Sequence, residues 1–213
     1  MTPYYQDEWV TIYHGDCRDI LPELPKVDLV LTDPPYGVGA SLENFVNGNR
    51  QHAITNEYGD WDNAIPSRDC FDALFNVSNH QIIWGGNYFI SYLSPTRCFL
   101  VWDKTIHGNS YADCEMAWTS FNSNARIKAL NMVEVSIDGR KHPTQKPLKL
   151  MKWCLSLSPE SKSILDPFMG SGTTIIASKE LNRHSIGIEI EEKYCEIAAK
   201  RCSQGVFDLR DDS

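Results

Sequence analysis

Lys162-Ser-Ile-Leu-Asp166-Pro-Phe-Met-Gly170-Ser-Gly172-Thr-Thr174 begins as an apolar run, stops at a proline and passes into glycines. The run reads as a strand ending in a turn, with a helix expected over about residues 171–181. Residues 184–190 read as the next strand. Residues 191–202 read as a helix, with Tyr194, Ile197, Ala198 and Arg201 along one stripe. Strand, glycine turn, helix, strand, helix is the pattern of an open α/β fold with a parallel sheet.

The turn also carries chemistry. Glycines at a strand-to-helix junction let the backbone approach a ligand closely. No lysine follows Gly172, so the turn lacks the residue a triphosphate-binding loop needs. A dinucleotide fingerprint would place a third glycine where Ile175 stands, and Asp166 would repel a pyrophosphate. Glu189 lies 17 residues after Gly172, at the end of the next strand, where an acid accepts hydrogen bonds from ribose hydroxyls. An adenosine ligand with an ammonium group and no phosphates is S-adenosylmethionine.

Upstream of this block, Pro147 opens a predicted helix with Leu148, Met151 and Leu155 on one face. Val27-Asp-Leu-Val-Leu-Thr32 is a buried-strand pattern that runs into Asp33-Pro34-Pro35-Tyr36. Two successive prolines fix φ and remove two N–H donors, leaving a rigid turn. Its carboxylate, free carbonyl and aromatic face suit a planar amino group: –NH2 donates to Asp33 and the Pro34 carbonyl while Tyr36 stacks on the ring. Residues 68–77 read as a helix. Strands are expected at 81–84, 97–102, 115–119 and 126–130. Residues 41–66, rich in Asn, Gly and Asp, read as a long mobile loop.

Composition narrows the class. The 213 residues are 42% hydrophobic and 23% charged, which suits a single globular domain over 1–213. No apolar run approaches the ~18 residues a membrane span needs, and no signal peptide is visible. Seven scattered cysteines without CxxC pairs, and six histidines without metal spacing, suggest reduced thiols and no metal. The expected compartment is cytoplasmic, in a bacterial or phage-infected host cell. The net charge is −8, yet residues 97–152 carry +4 and the remainder −12. A locally basic face can still meet nucleic-acid phosphate, and Lys104 is one cation placed to do so. Trp84, Trp102 and Trp118 are expected in the core. Asn87 and Tyr88, after a glycine pair, are placed to face a target pocket.

Taken together, the two turns resemble those of the β-class DNA amino-methyltransferases, in which the Asp-Pro-Pro-Tyr motif comes first and the glycine motif late. The resemblance extends through His14-Gly15-Asp16, Trp84-Gly-Gly-Asn-Tyr88, Val101-Trp-Asp-Lys104, His142-Pro-Thr-Gln-Lys-Pro147 and Gly187-Ile-Glu189. The chain looks most like the short adenine-specific members often carried by phages and prophages.

That resemblance implies a Rossmann-like class I methyltransferase fold. Its sheet would be seven-stranded, mixed but mainly parallel, with helices on both faces, and circularly permuted relative to small-molecule methyltransferases. It implies S-adenosylmethionine as cofactor. Asp166, Phe168, Gly170, Gly172 and Thr173 would lie along it, Glu189 on its ribose and Asp16 near its adenine. His142, Thr144 and Lys146 would close over its methionine end, beside Asp33. Asp33, Pro34, Pro35 and Tyr36 would act on the N6 of a flipped adenine in double-stranded DNA. Cytosine-N4 or RNA adenine methylation, and a catalytically inactive DNA-binding subunit, are the alternatives; a homodimer is left open. Only residues 131–141 stand where the family carries a target-recognition segment, which implies a short or relaxed target sequence.

Overall fold

The computed structural model describes residues 1–37, 65–106, 108, 112–131 and 145–204. The strands are β1 (Tyr5–Gln6), β2 (Val10–His14), β3 (Val27–Thr32), β4 (Ser78–Trp84), β5 (Phe99–Asp103), β6 (Cys114–Thr119), β7 (Arg126–Ala129), β8 (Ser163–Asp166) and β9 (His184–Glu189). The helices are α1 (Cys17–Ile20), α2 (Arg68–Val77), α3 (Leu148–Ser156), α4 (Thr173–Glu180) and α5 (Glu192–Ser203). The strands form one sheet in the order β1-β2-β9-β8-β3-β4-β6-β5-β7. Among the described residues it therefore has nine strands, where seven are expected. The seven central strands are flanked by two short edge strands: β1, a two-residue strand antiparallel to β2, and β7, parallel to β5. A two-residue strand leaves no alternating pattern in the sequence, because its pairing is decided by its neighbour.

Both faces of the sheet are covered, as the residues of β3 show. Leu29 and Leu31 pack toward α3 together with Ile82, Leu100 and Ile164. Val27 and Val30 pack toward α1 and α2, against Phe71, Leu74, Ile83 and Leu165. Trp84, Trp102 and Trp118 are buried in these two cores. On α5 the buried stripe is Tyr194, Cys195, Ala198 and Cys202 rather than the expected Tyr194, Ile197, Ala198 and Arg201. The two thiols behave as small hydrophobes against Val10 and Ile12 of β2.

One feature of the topology positions the site. β3 is parallel to both β8 and β4. The chain leaves β3 toward α2 on one face and leaves β8 through α4 on the other. The sheet thus switches winding between β3 and β8, and a crevice opens at the carboxyl ends of such strands.

Candidate functional site

At that switch point the two sequence turns meet. Thr32 Oγ1, at the end of β3, donates to Asp166 Oδ1, at the end of β8, at 2.8 Å. The Phe168 amide donates to the same oxygen at 3.2 Å, and Thr174 adds a further side-chain hydrogen bond. Asp166 is 3% exposed. All these donors are neutral, so burial dominates and pushes its carboxyl up to about 6. Glu189 behaves alike at the end of β9. Its Oε2 accepts from the Gly170 amide and its Oε1 from the Glu191 amide, each at 2.9 Å. Burial again raises its carboxyl above the usual range.

These acids border a cavity of about 480 Å³. Its wall includes Asp16, Asp33, Pro35, Lys146, Phe168, Gly170 and Thr173, and also Ile65, Pro66, Ser67, Cys17 and Cys70. Gly170 has φ +50°, and a side chain there would meet no atom within 4 Å, so its backbone faces open space. Asp16 caps α1 by accepting from the Arg18 amide at 2.9 Å, and it also pairs with the Arg18 guanidinium, which holds its carboxyl low. A pocket with one buried and one half-buried carboxylate, Asp166 and Glu189, each hydrogen-bonded to neutral donors, fits a ligand bearing positive charge and hydroxyls. S-adenosylmethionine has both: a sulfonium and an ammonium, and a ribose diol.

The Asp-Pro-Pro-Tyr turn sits at one side of this cavity. Asp33 Oδ1 accepts a short hydrogen bond from the Tyr36 hydroxyl. Lys146 Nζ lies 2.5 Å from Asp33 Oδ2, 3.1 Å from the Tyr36 oxygen and 3.0 Å from Glu115 Oε2. Lys146 is 6% exposed. Against the penalty of burial, the Asp33 and Glu115 carboxylates hold its ammonium well above the usual lysine range. Burial raises the Asp33 carboxyl, with the Lys146 charge pulling the other way.

Tyr36 is held from two sides. Gly85, after β4, has φ +70°, and a Cβ there would come within 2.1 Å of the Tyr36 ring. Tyr88 stacks on the same ring with centroids 4.8 Å apart and planes 13° apart, and is 47% exposed. Tyr88 thus covers one face of the Tyr36 ring.

The structure brings Asp16, Asp33, Pro35, Lys146, Asp166, Phe168, Gly170, Thr173 and Glu189 to one cavity. Tyr36 joins through Asp33, and Pro34 is buried. Gly172 does not line the cavity. It caps α4 at φ +83°, where a Cβ would sit 2.9 Å from Ala198 Cβ, so it serves close packing of α4 on α5. His142 and Thr144 lie outside the described residues, as do residues 41–64 of the expected loop and 132–141 of the short segment. Lys104 is no free DNA contact, because its Nζ lies 2.7 Å from Glu115 Oε1. Glu115 escapes sequence reading: it stands in a strand pattern, and nothing local marks its partners.

A family model described as DNA methylase, of the N6/N4 type, matches residues 50–200. The type II methyltransferase M.ScaI of Streptomyces caespitosus is 26% identical, over 93% of this chain and 83% of its own length. M.HinfI of Haemophilus influenzae is 30% identical, over 90% of this chain and 67% of its own. Among solved structures, the M1.HpyAVI–SAM complex is 26% identical with a TM-score of 0.61, over 91% of this chain and 99% of that one. The cytosine-N4-specific PvuII DNA methyltransferase shares the fold at 16% identity and a TM-score of 0.62, over 99% and 90%.

Proposed function

The chain belongs to the N6/N4 DNA methylase family, and we propose that it methylates the exocyclic N6 of adenine in double-stranded DNA. At the coarser level it is an S-adenosylmethionine-dependent DNA methyltransferase. One observation carries the finer reading. An acid, Asp33, begins the acceptor turn and faces the same cavity as Asp166 and Glu189, with Thr32 joining the two turns. The late position of β8 and its glycine turn, after the β3 turn, accords with a circularly permuted class I fold.

S-adenosylmethionine supplies an electrophilic methyl group on sulfur. Glu189 would hold the ribose, and Asp166, with the backbone at Phe168 and Gly170, the charged amino-acid end. Asp16 would stand at the adenine, and Asp33, with Lys146 beside it, near the methionine end; His142 and Thr144 belong to the same motif as Lys146. The chain's own task is to activate a poor nucleophile. The target base is extruded from the duplex, at a cost of a few kcal/mol. Its amino nitrogen is delocalised into the ring. An ionised carboxylate has about four acceptor positions, and Lys146 and Tyr36 take two on Asp33. The others accept amino hydrogens and stabilise the positive charge that grows on nitrogen in the transition state. Pro34 and Pro35 keep the turn from yielding.

The test is incubation with unmethylated duplex DNA and labelled S-adenosylmethionine, followed by nucleoside mass spectrometry, with Asp33→Ala as control. N6-methyladenine, absent in the control, is the expected product. N4-methylcytosine would replace the base assignment. Cofactor binding without transfer to either base would replace the DNA substrate with RNA or single strands.

A further inference from the structure

Five groups form an unbroken polar chain from the cavity into the sheet. Tyr36 donates to Asp33, and Lys146 joins Asp33 Oδ2 to Glu115 Oε2. Lys104 closes the far end on Glu115 Oε1 at 2.7 Å. Glu115 stands on β6 opposite Trp102 of β5, and Lys104 lies 5.4 Å from the Trp102 ring centroid. Two carboxylates alternate with two ammoniums, so the cluster is neutral, the arrangement in which buried charge is tolerated. The Lys146 ammonium donates to Asp33 Oδ2 and to the Tyr36 oxygen, and its charge pairs with Glu115 Oε2 at 3.0 Å. Neither Glu115 nor Lys104 lines the cavity.

Resting on the DNA methyltransferase reading, we propose that Glu115, backed by Lys104, is a positioning residue for Asp33. It fixes the Lys146 ammonium, and Lys146 in turn fixes one Asp33 oxygen, so that the remaining acceptor positions keep one direction toward the incoming amino group. Lys146 without Glu115 loses the ion pair on the side away from Asp33, and its four-carbon stem is freer to turn. Asp33 then loses a fixed orientation. Misplacement of a reacting group by ~1 Å can lower a rate about 100-fold.

The test compares wild type, Glu115→Gln, Lys104→Met and the double variant, with two independent readouts. In the kinetic one, Glu115→Gln is expected to lower kcat about 10- to 100-fold. The KM and Kd for S-adenosylmethionine should stay within about twofold, as expected where a transition-state interaction alone is lost. Lys104→Met is expected to lose less, and to add nothing in the Glu115→Gln background, because it acts only through Glu115. The second readout needs no activity: lysine acylation by acetic anhydride, followed residue by residue by mass spectrometry. Lys146 should be protected in wild type relative to Lys200, whose side chain is 73% exposed, and should lose that protection in Glu115→Gln while Lys200 is unchanged. Protection of Lys146 that survives Glu115→Gln overturns the proposal, as does a loss of cofactor affinity equal to the loss of kcat. A wild-type protein that transfers no methyl to DNA overturns the methyltransferase reading and the kinetic role with it, and the acylation pattern still decides whether Glu115 holds Lys146. Should Glu115→Gln not fold, Lys104→Met decides alone: unchanged kcat and unchanged Lys146 acylation overturn the proposal.

Discussion

The Thr32 hydroxyl donates to Asp166 Oδ1 at 2.8 Å, tying the last residue of β3 to the last residue of β8. The two residues are 134 positions apart. Each precedes or begins one of the two turns, so this hydrogen bond carries the direct pairing of β3 with β8 up to the start of both turns. The bond lies on the boundary where the sheet changes winding, where two parallel strands send their helices to opposite faces.

The first prediction follows from Asp166. Burial raises its carboxyl to about 6. A folded-state value above the unfolded one, by about two units, means that this group adds ~3 kcal/mol of stability below pH 4, lost as pH rises through 6. A cationic ligand favours the carboxylate and draws the value back down. Binding of S-adenosylmethionine near pH 6 is therefore expected to release a fraction of a proton and to weaken below that pH, with Glu189 contributing in the same direction. Calorimetry in buffers of different ionisation enthalpy measures the release. Asp166→Asn should remove most of it, and Thr32→Val, which deletes a donor to the carboxylate, should move it to higher pH. Release unchanged in Asp166→Asn would mean that another group titrates.

The second prediction concerns Gly85. A Cβ there would enter the Tyr36 ring at 2.1 Å, and φ is +70°. The left-handed backbone alone costs a non-glycine residue roughly 1–2 kcal/mol, and the clash must also be relieved by moving Tyr36, whose hydroxyl is bonded to Asp33. Gly85→Ala is expected to lower methyl transfer at least about tenfold through misplacement of the acceptor turn. Cofactor affinity should stay near wild type, because Gly85 does not line the cavity. Equal losses in both would show that the whole site collapses.

Legibility in the sequence tracked how local the determining physics was. β3 and β8 could be read because a short apolar run ends at Asp-Pro in both cases, and α4 follows its glycine turn at once. β2 gives a weaker signal: Val10-Thr-Ile-Tyr-His14 is short and half polar, and it becomes a strand by pairing with five residues of β9. Asp33, Asp166 and Glu189 could be named because each ends, or directly follows, a strand of a parallel sheet. The Lys146–Glu115 contact could not, since 31 residues and a strand pairing separate the two. For the same reason the positive balance of residues 97–152 overstates the basic face: Lys104 and Lys146 turn inward onto carboxylates. Gly172 shows the opposite error, a motif glycine whose need is set by Ala198 of the neighbouring helix.

A third prediction separates the two roles of Glu189, which accepts backbone hydrogen bonds from Gly170 and Glu191 and borders the cavity. Glu189→Gln keeps the shape, but its amide has one acceptor oxygen in place of two. Affinity for S-adenosylmethionine is expected to fall about tenfold or more, in line with roughly 1.5–3 kcal/mol for a hydrogen bond to a charged group. The Kd for 5′-deoxy-5′-methylthioadenosine, which keeps the ribose diol and lacks the amino-acid end, should rise by the same factor. For Asp166→Asn the loss should appear with S-adenosylmethionine and shrink with the truncated ligand. The same pattern for both variants would undo the assignment of ribose to Glu189 and amino-acid end to Asp166.

The last prediction is about the DNA sequence. Eleven residues, 131–141, separate the central strands from the His-Pro-Thr-Gln-Lys-Pro motif. Each base pair distinguished in a groove is worth about 1–3 kcal/mol and needs side chains that reach its edge. A segment this short can present few such groups, so the methylated sites should share a short motif or tolerate substitutions within it. Residues 41–66, or a second copy of the chain, would supply any further base contacts. Long-read sequencing of DNA methylated in vitro measures this directly, with adenines scored in every context. A long site, methylated without exception and never outside its consensus, would show that recognition is built elsewhere in the chain.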